Sequence, residues 1–374
     1  MKKIIITLKK EAVLIISFVA ALITSCFVPP SAEYLSYIDF KVLAILFCLM
    51  VIVAGLKEIG LFNVLAEKMT SGSRNTRGLF LSLVLICFFS SMLITNDVAL
   101  ITFVPFSILV LTITAQTEHL INVVVMQTVA ANLGSMLTPV GNPQNLYLYS
   151  FFNMEVSEFF KITLPITLAG LILIFAFSIF GKRELINVQF NTTGKIADKR
   201  KMILYMLLFV LCLTTVFRFV DYRITLAIVF AAVMLLDKNL LLKVDYSLLA
   251  TFVFFFIFTG NIGNIEPVKN YLSLLIENHE LIYSILLSQV LSNVPTAVLL
   301  SNFTENYKAL IVGTNVGGLG TLVASLASLI SFKLYVKTEN SKPVKYLAVF
   351  TAINILILLL LLIFSTLFIL NIKQ

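Results

Sequence analysis

The chain has no tryptophan, two histidines and four cysteines, and only 12% of its 374 residues are charged. Each shortage removes a class of function. Soluble domains carry about 25% charged and 45–50% apolar residues, whereas 59% of this chain is hydrophobic and its mean hydropathy is +1.02. No single water-soluble globule hides that much apolar surface, so a bilayer must solvate it. His119 and His279 each adjoin a glutamate at the end of an apolar run. That placement reads as solvated and interfacial, and it argues against an intramembrane enzyme, which needs a nucleophile–base or metal set at depth. Cys26, Cys48, Cys87 and Cys212 lie in apolar runs with neither metal-ligand nor secreted-disulfide spacing. They read as small core residues, and neither a structural metal nor a cofactor is expected. The net charge of +8 does not describe a nucleic-acid surface, because the basic residues punctuate apolar runs instead of forming a patch.

What is present is a series of apolar runs near the ~20 residues a membrane-spanning helix needs. They fall at 12–29, 40–56, 161–180, 202–219, 223–237, 246–262 and 346–370. Two more, 119–150 and 309–332, are interrupted by Gly, Pro and Asn. The stretches 79–114 and 281–302 carry polar knots at their middles, Thr95-Asn96-Asp97 and Ser292-Asn293 with Pro295-Thr296. The half before Asp97 counts roughly 16 residues, or ~24 Å, short of the ~30 Å hydrocarbon core. The expectation is a re-entrant hairpin at each stretch, its break shielded by protein or a water-filled cavity. The fold class is therefore an all-α polytopic membrane protein with two re-entrant hairpins and two broken transmembrane helices.

Charge sets the orientation. With the N-terminus inside and both hairpins re-entrant, only seven of the 27 Lys and Arg fall outside: Lys41, Lys161, Arg218, Arg223, Lys269, Lys308 and Lys373. That bias fits a multi-pass protein of the cytoplasmic membrane with its C-terminus outside. The chain divides into an N-terminal segment (1–39), a first repeat (40–180), a basic cytoplasmic loop (181–201) and a second repeat (202–370). The first apolar run has a rival reading, since Ile23-Thr24-Ser25-Cys26 resembles a lipoprotein cleavage site.

The two repeats share an order of features. Asp39-Phe40 and Asp245-Tyr246 each open an apolar span ending in glycines, Gly55 and Gly60 or Gly260 and Gly263. A short helix, a hairpin with its Asn (Asn96, Asn293) and a glycine-broken span follow. In the broken spans Asn132-Leu133-Gly134 matches Asn315-Val316-Gly317, and Thr138 matches Thr321. In the topology above the second unit is inverted relative to the first, an arrangement typical of secondary transporters.

The breaks supply the chemistry. Pro139, Pro143, Gly141 and Gly320 interrupt helices. Freed amides at half-helix N-termini attract anions. Freed carbonyls with Asn, Ser and Thr oxygens suit Na⁺ or a similar hard cation. Two tips and two broken spans would make one pocket holding both kinds of group, with Asn142 and Asn145 contributed by the first break. Gly313, Ser328 and Ser331 read as helix packing instead. Asp97 is an acid placed deep in the membrane, which is a functional signal by default. It carries a proton, pairs with a coupling cation or binds a cationic substrate, or else caps the second hairpin helix. Val294 takes its place in the second repeat, and no Lys or Arg is expected at the pocket.

At these motifs the chain resembles the ion transporter superfamily. The likeness is to permeases grouped with arsenite and sodium–proton antiporters, and to sodium-coupled dicarboxylate and citrate symporters. It covers roughly residues 40–370. Thr95-Asn96-Asp97 and Ser292-Asn293-Val294 stand where that family has a Ser-Asn-Thr-like signature, and Gly134 to Asn145 resembles its Gly-x-x-x-Thr-Pro-x-Gly-type break. The stretch Gly317 to Ser325 looks like the uncharacterised anion-permease branch. The resemblance implies a scaffold plus a moving transport domain, elevator-like motion and a homodimer. It implies that Asn96 and Asn293 contact both substrate and coupling ion. Thr138, Gly141 and Asn142 would complete one ion site, and Asn315, Gly320 and Thr321 the other. Asp97 and Val294 depart from the threonine of dicarboxylate symporters, and an ionised Asp97 repels a dianion. The expected function is secondary transport of a small anion or oxyanion coupled to Na⁺ or H⁺. The alternative is a Na⁺/H⁺ or arsenite/H⁺ antiporter with Asp97 as carrier. A channel wants a continuous polar lining or charged rings, which discrete breaks do not make.

Overall fold

The computed structural model describes residues 12–71, 73, 75–179, 184, 185 and 195–369. Lys2, Lys3, Lys9, Lys10, Arg74, Lys182, Arg183, Lys373 and much of the expected basic loop 181–201 lie outside the described residues. Helices α1 (Ala12–Ser25) and α2 (Tyr34–Tyr37) precede a first series. That series is α3 (Phe40–Glu58), α4 (Leu61–Thr70), α5 (Thr76–Ile94), α6 (Asn96–Ile113), α7 (Leu120–Ser135), α8 (Pro143–Phe151) and α9 (Val156–Ile179). After α10 (Lys199–Val216) and α11 (Tyr222–Leu236) the same order of elements returns. It runs α12 (Tyr246–Gly263), α13 (Glu266–Ile276), α14 (Glu280–Leu291), α15 (Asn293–Leu300), α16 (Tyr307–Gly317), α17 (Leu326–Val336) and α18 (Pro343–Phe364).

The recurring Asp-aromatic pair has a local cause. Asp39 accepts from the Val42 N–H at 2.9 Å and Asp245 from the Leu248 N–H at 3.0 Å, so each caps the helix that opens its series. Such a cap contributes about 1 kcal/mol. Among the described residues six helices, α3, α5, α6, α9, α12 and α18, are long and apolar enough to cross a bilayer. The chain is a multi-pass membrane protein.

The arms around Asn96 depart from expectation. α5 starts at Thr76 and has 19 residues, and α6 has 18, so each is about 27–28 Å long at 1.5 Å per residue. The expected shortfall in length is absent there. The second pair is shorter, 12 residues in α14 and 8 in α15. What the two pairs share is the hinge. Thr95 and Ser292 both sit at positive φ, 66° and 78°, a region strained for side chains with a Cβ.

The two series interlock. α17 of the second packs on α6 and α7 of the first, and α8 of the first packs on α15 of the second. α1 packs on α12, while α10 and α11 pack on α3. Small residues allow the closest crossings. At Gly55 the ring of Tyr205 lies where a Cβ would be, and at Gly317 the Ser288 side chain does the same.

Candidate functional site

Each hinge is tied to the break of its own series by one main-chain hydrogen bond. The Asn96 N–H donates to the Gly141 carbonyl at 3.2 Å, and the Asn293 N–H donates to the Ala324 carbonyl at 3.0 Å. Thr138 and Thr321 brace the same joints. The Thr138 hydroxyl donates to the Met92 carbonyl, and the Thr321 hydroxyl donates to the Gln289 carbonyl at 3.0 Å. Gly320 stands at φ 102°, with the Gln289 amide oxygen against it. That amide also donates to the Gly317 and Leu319 carbonyls and accepts from the Thr321 N–H.

Side-chain amides join the two series. Asn96 Nδ2 donates to Asn132 Oδ1 at 2.9 Å, and the Ser325 hydroxyl donates to the same oxygen at 3.1 Å. Asn145 Nδ2 reaches the Ser135, Met136 and Thr138 carbonyls, and Asn145 Oδ1 accepts from Asn315 Nδ2 at 2.7 Å. Asn142 Nδ2 donates to the Ser135 hydroxyl at 2.8 Å. Thr296 is buried, its hydroxyl donating back to the Ser292 carbonyl. Buried oxygens without donors remain on Asn142 and Asn315, and both amide atoms of Gln144 are unpaired. An orphaned buried polar group costs about 1–3 kcal/mol, so these atoms mark a place to ask about ligands.

A cavity of about 740 Å³ lies in front of this framework. Its inner end is lined by Thr95, Asp97, Pro143, Ser292, Val294 and Pro295, the N-terminal residues of α6, α8 and α15 and their hinges. Leu326, Leu329, Ile330 and Lys333 line it along one face of α17, at the i, i+3, i+4, i+7 spacing of a helix stripe. Its other end is charged, with Lys57, Glu58, Lys243, Asp245 and Lys333, all exposed. Lys243 and Glu58 form an ion pair there. The expectation of no lysine at the pocket is thereby corrected: three lysines line its mouth, although none reaches the hinges. Asp97 is half-buried and its carboxylate makes no hydrogen bond or ion pair among the described residues. It does not cap α6. Its own N–H donates to Asn96 Oδ1 at 3.0 Å.

Of the expected substrate residues, Thr95, Ser292 and Pro295 line the cavity, while Asn96, Asn142, Asn145, Asn293 and Thr296 lie buried behind it. Sequence reasoning passed over Asn132, Ser325 and Gln289. The matching of Asn132 with Asn315 was a usable signal, since the amide of each repeat sits at the same joint. Gln289 had none, because its counterpart at the first hinge, Met92, contributes only a main-chain carbonyl.

The comparisons with known proteins agree with this architecture. A family profile described as citrate transporter, CitMHS, matches residues 4–308. An uncharacterized transporter of Methanocaldococcus jannaschii, MJ0456, is 34% identical over 339 residues, 90% of this chain and 92% of that protein. The inner membrane protein YbiR of Escherichia coli is 31% identical over 304 residues, 79% of this chain and 80% of that one. The silicon efflux transporter LSI3 of rice, Oryza sativa subsp. japonica, is 33% identical over 137 residues, 36% of this chain and 27% of that one. Hinged helix pairs, interlocked broken helices and a cavity at their meeting point thus occur in a chain that belongs to the CitMHS citrate transporter family and is a membrane transporter.

Proposed function

We propose that the protein is a secondary active transporter of the cytoplasmic membrane that carries a small anion or oxyanion, coupled to Na⁺ or H⁺. One observation carries this reading. The N-termini of α6, α8, α15 and α17 all line the cavity, and none has a side-chain cap. Each helix end acts as roughly half a positive charge, so four together supply on the order of two charges without a single lysine at the hinges. When Asp97 is ionised it offsets one of them, which favours a substrate of low negative charge. The silicon efflux transporter among the relatives fits that range, whereas free citrate, with three carboxylates, fits it only when protons or a bound cation reduce its charge.

In this reading the two series form an inverted repeat, the helix pairs around Asn96 and Asn293 are re-entrant, and the protein works as a homodimer by elevator-like movement. The cavity mouth holds Lys57, Lys243 and Lys333, which the positive-inside rule assigns to the cytoplasm, so the cavity faces inward.

A second reading rests on Asp97. A carboxylate on a cavity wall with no hydrogen-bond or ion-pair partner among the described residues suits an exchanged proton or cation. Purified protein separates the two in a thermal unfolding assay against citrate, silicate, arsenite and phosphate, over a pH series with and without Na⁺. Ligands of the folded state raise its stability. Stabilisation by an anion, matched by Na⁺- or pH-driven uptake of that anion into liposomes, supports the transporter. Stabilisation by Na⁺ or pH alone, lost in Asp97→Asn, with no anion effect, replaces it with the antiporter.

A further inference from the structure

The cavity is polar at its two ends and aliphatic between them. Leu46, Leu49, Met50 and Val53 line it from α3 at the i, i+3, i+4, i+7 spacing of one helix face, and the same ladder ends at Lys57 in the mouth. Leu326, Leu329 and Ile330 line it from α17, and that ladder ends at Lys333. The aliphatic stretch is long: Leu46 to Lys57 covers ~16 Å of helix and Leu326 to Lys333 ~10 Å. α6 adds Val98 and Ile101 to the same wall. Thr251 of α12 is the polar side chain among them, and its hydroxyl donates to the Ser247 carbonyl at 2.7 Å, within its own helix.

This lining discriminates among anions. A polyanion has polar groups on every side, and each must keep its water or find a partner. The hinge end offers helix N-termini and the mouth offers lysines, but the aliphatic middle offers nothing. An anion with one charged end and a hydrocarbon body meets no such penalty. Its charge faces the helix ends, and its body displaces water from the two ladders, which is favourable in proportion to the apolar area covered. The cavity volume of about 740 Å³ also suits an organic molecule and is far more than an oxyanion fills.

We infer that the substrate is an organic monocarboxylate with an apolar body, held by its carboxylate at the hinge end and by its hydrocarbon along the ladders of α3 and α17. The inference rests on the anion-transport reading above and narrows it to one chemical class.

The test is thermal unfolding of the purified full-length protein at neutral pH, titrated with acetate, butyrate, hexanoate and octanoate. The midpoint of stabilisation should fall about fourfold for each added methylene, the full transfer of that group from water. Suberate, which is octanoate with a second carboxylate at its far end, should bind at least about tenfold more weakly than octanoate. 1-Octanol, with the hydrocarbon and no charge, should stabilise far less. Met50 and Leu329 are half-buried wall positions, and Met50→Gln or Leu329→Asn should shrink the preference for octanoate over acetate severalfold. Met50→Gln keeps the length of the side chain, which guards against a variant that fails to fold. Equal midpoints along the series, a preference untouched in both variants, or tighter binding of citrate, silicate or phosphate than of octanoate overturns the inference and leaves anion transport standing. 1-Octanol as effective as octanoate means partition into an apolar gap and overturns it as well. No response to any anion, polar or apolar, removes the anion-transport reading and the inference with it.

Discussion

Gly134 of α7 packs directly on the Phe88 carbonyl of α5: a Cβ at Gly134 would lie 1.9 Å from that oxygen. No real Cβ approaches so closely, and main chain on both sides leaves nothing to rotate away. Gly134→Ala should destabilise the protein by about 3 kcal/mol, the upper part of the usual range for overpacking. Gly263 has nothing within 4 Å of the same position, so Gly263→Ala should be neutral or slightly stabilising. Melting temperatures of the two variants in detergent check the contrast, and equal shifts would remove the case for a tight α5–α7 crossing.

Asp97 faces the cavity, and among the described residues its carboxylate has no hydrogen-bond or ion-pair partner, so the carboxylate is available to the transported species. Asp97→Asn keeps the shape and removes the titration. Driven uptake should fall at least about tenfold, equivalent to 1.4 kcal/mol, and what remains should lose its dependence on pH. Uptake against pH in liposomes, wild type beside variant, decides it. An unchanged pH profile would assign the proton-sensitive step elsewhere.

Lys333 lies on the cavity stripe of α17, seven residues from Leu326 at its inner end, or about 10 Å along the axis. Its positive charge at an exposed mouth raises the local concentration of an anion. Lys333→Gln should raise KM roughly threefold at low salt while leaving kcat unchanged, and the difference should shrink as salt screens it. Lys333→Arg should behave as wild type. A fall in kcat with unchanged KM would mean that Lys333 takes part in the movement itself.

Asp198 caps α10, accepting from the Arg200 N–H at 2.8 Å and the Lys201 N–H at 3.0 Å. The main-chain bond from Lys201 is the largest influence holding its carboxyl below the ordinary aspartate range. The folded chain thus favours the charged form. Its stabilising contribution is complete above the unfolded carboxyl's range and disappears as pH falls through the lower folded value. Asp198→Ala should lower the melting temperature slightly at neutral pH and make no difference once the wild-type carboxyl is protonated. A gap that persists in acid would assign the effect to helix propensity instead.

Much of this molecule was readable before its structure. Apolar length located most helices to within a few residues, because a bilayer enforces length and hydrophobicity at once. Asn96, Asn293, Thr138 and Thr321 stood out because polar groups in an apolar run have few reasons to be there. The extra turn of α5 was hidden, since Thr76, Arg77 and Gly78 look like loop although Asn75 caps them, its side chain accepting from the Gly78 N–H at 2.9 Å. The lysines at the cavity were also hidden. Lys57, Lys243 and Lys333 are far apart in sequence, and only the packing of α3, the turn that precedes α12, and α17 brings them to one mouth. The division of labour among Asn142, Asn145 and Asn315 was out of reach for the same reason, because it depends on which way each amide turns.

The crossed packing of α1 on α12 and of α10 on α3 has a consequence for biosynthesis. Neither half of the chain contains the partners its first spans need. Thr24 at the end of α1 finds its amide donor, Asn261, only in α12, and Gly55 of α3 meets Tyr205 only when α10 arrives. At the usual ~5–20 residues per second, the nascent protein leaves the ribosome with α1 waiting on the order of ten seconds or more for its neighbour. The first half must persist in the bilayer as an unfinished assembly, so a gene cut between α9 and α10 should yield two fragments that are stable only when made together.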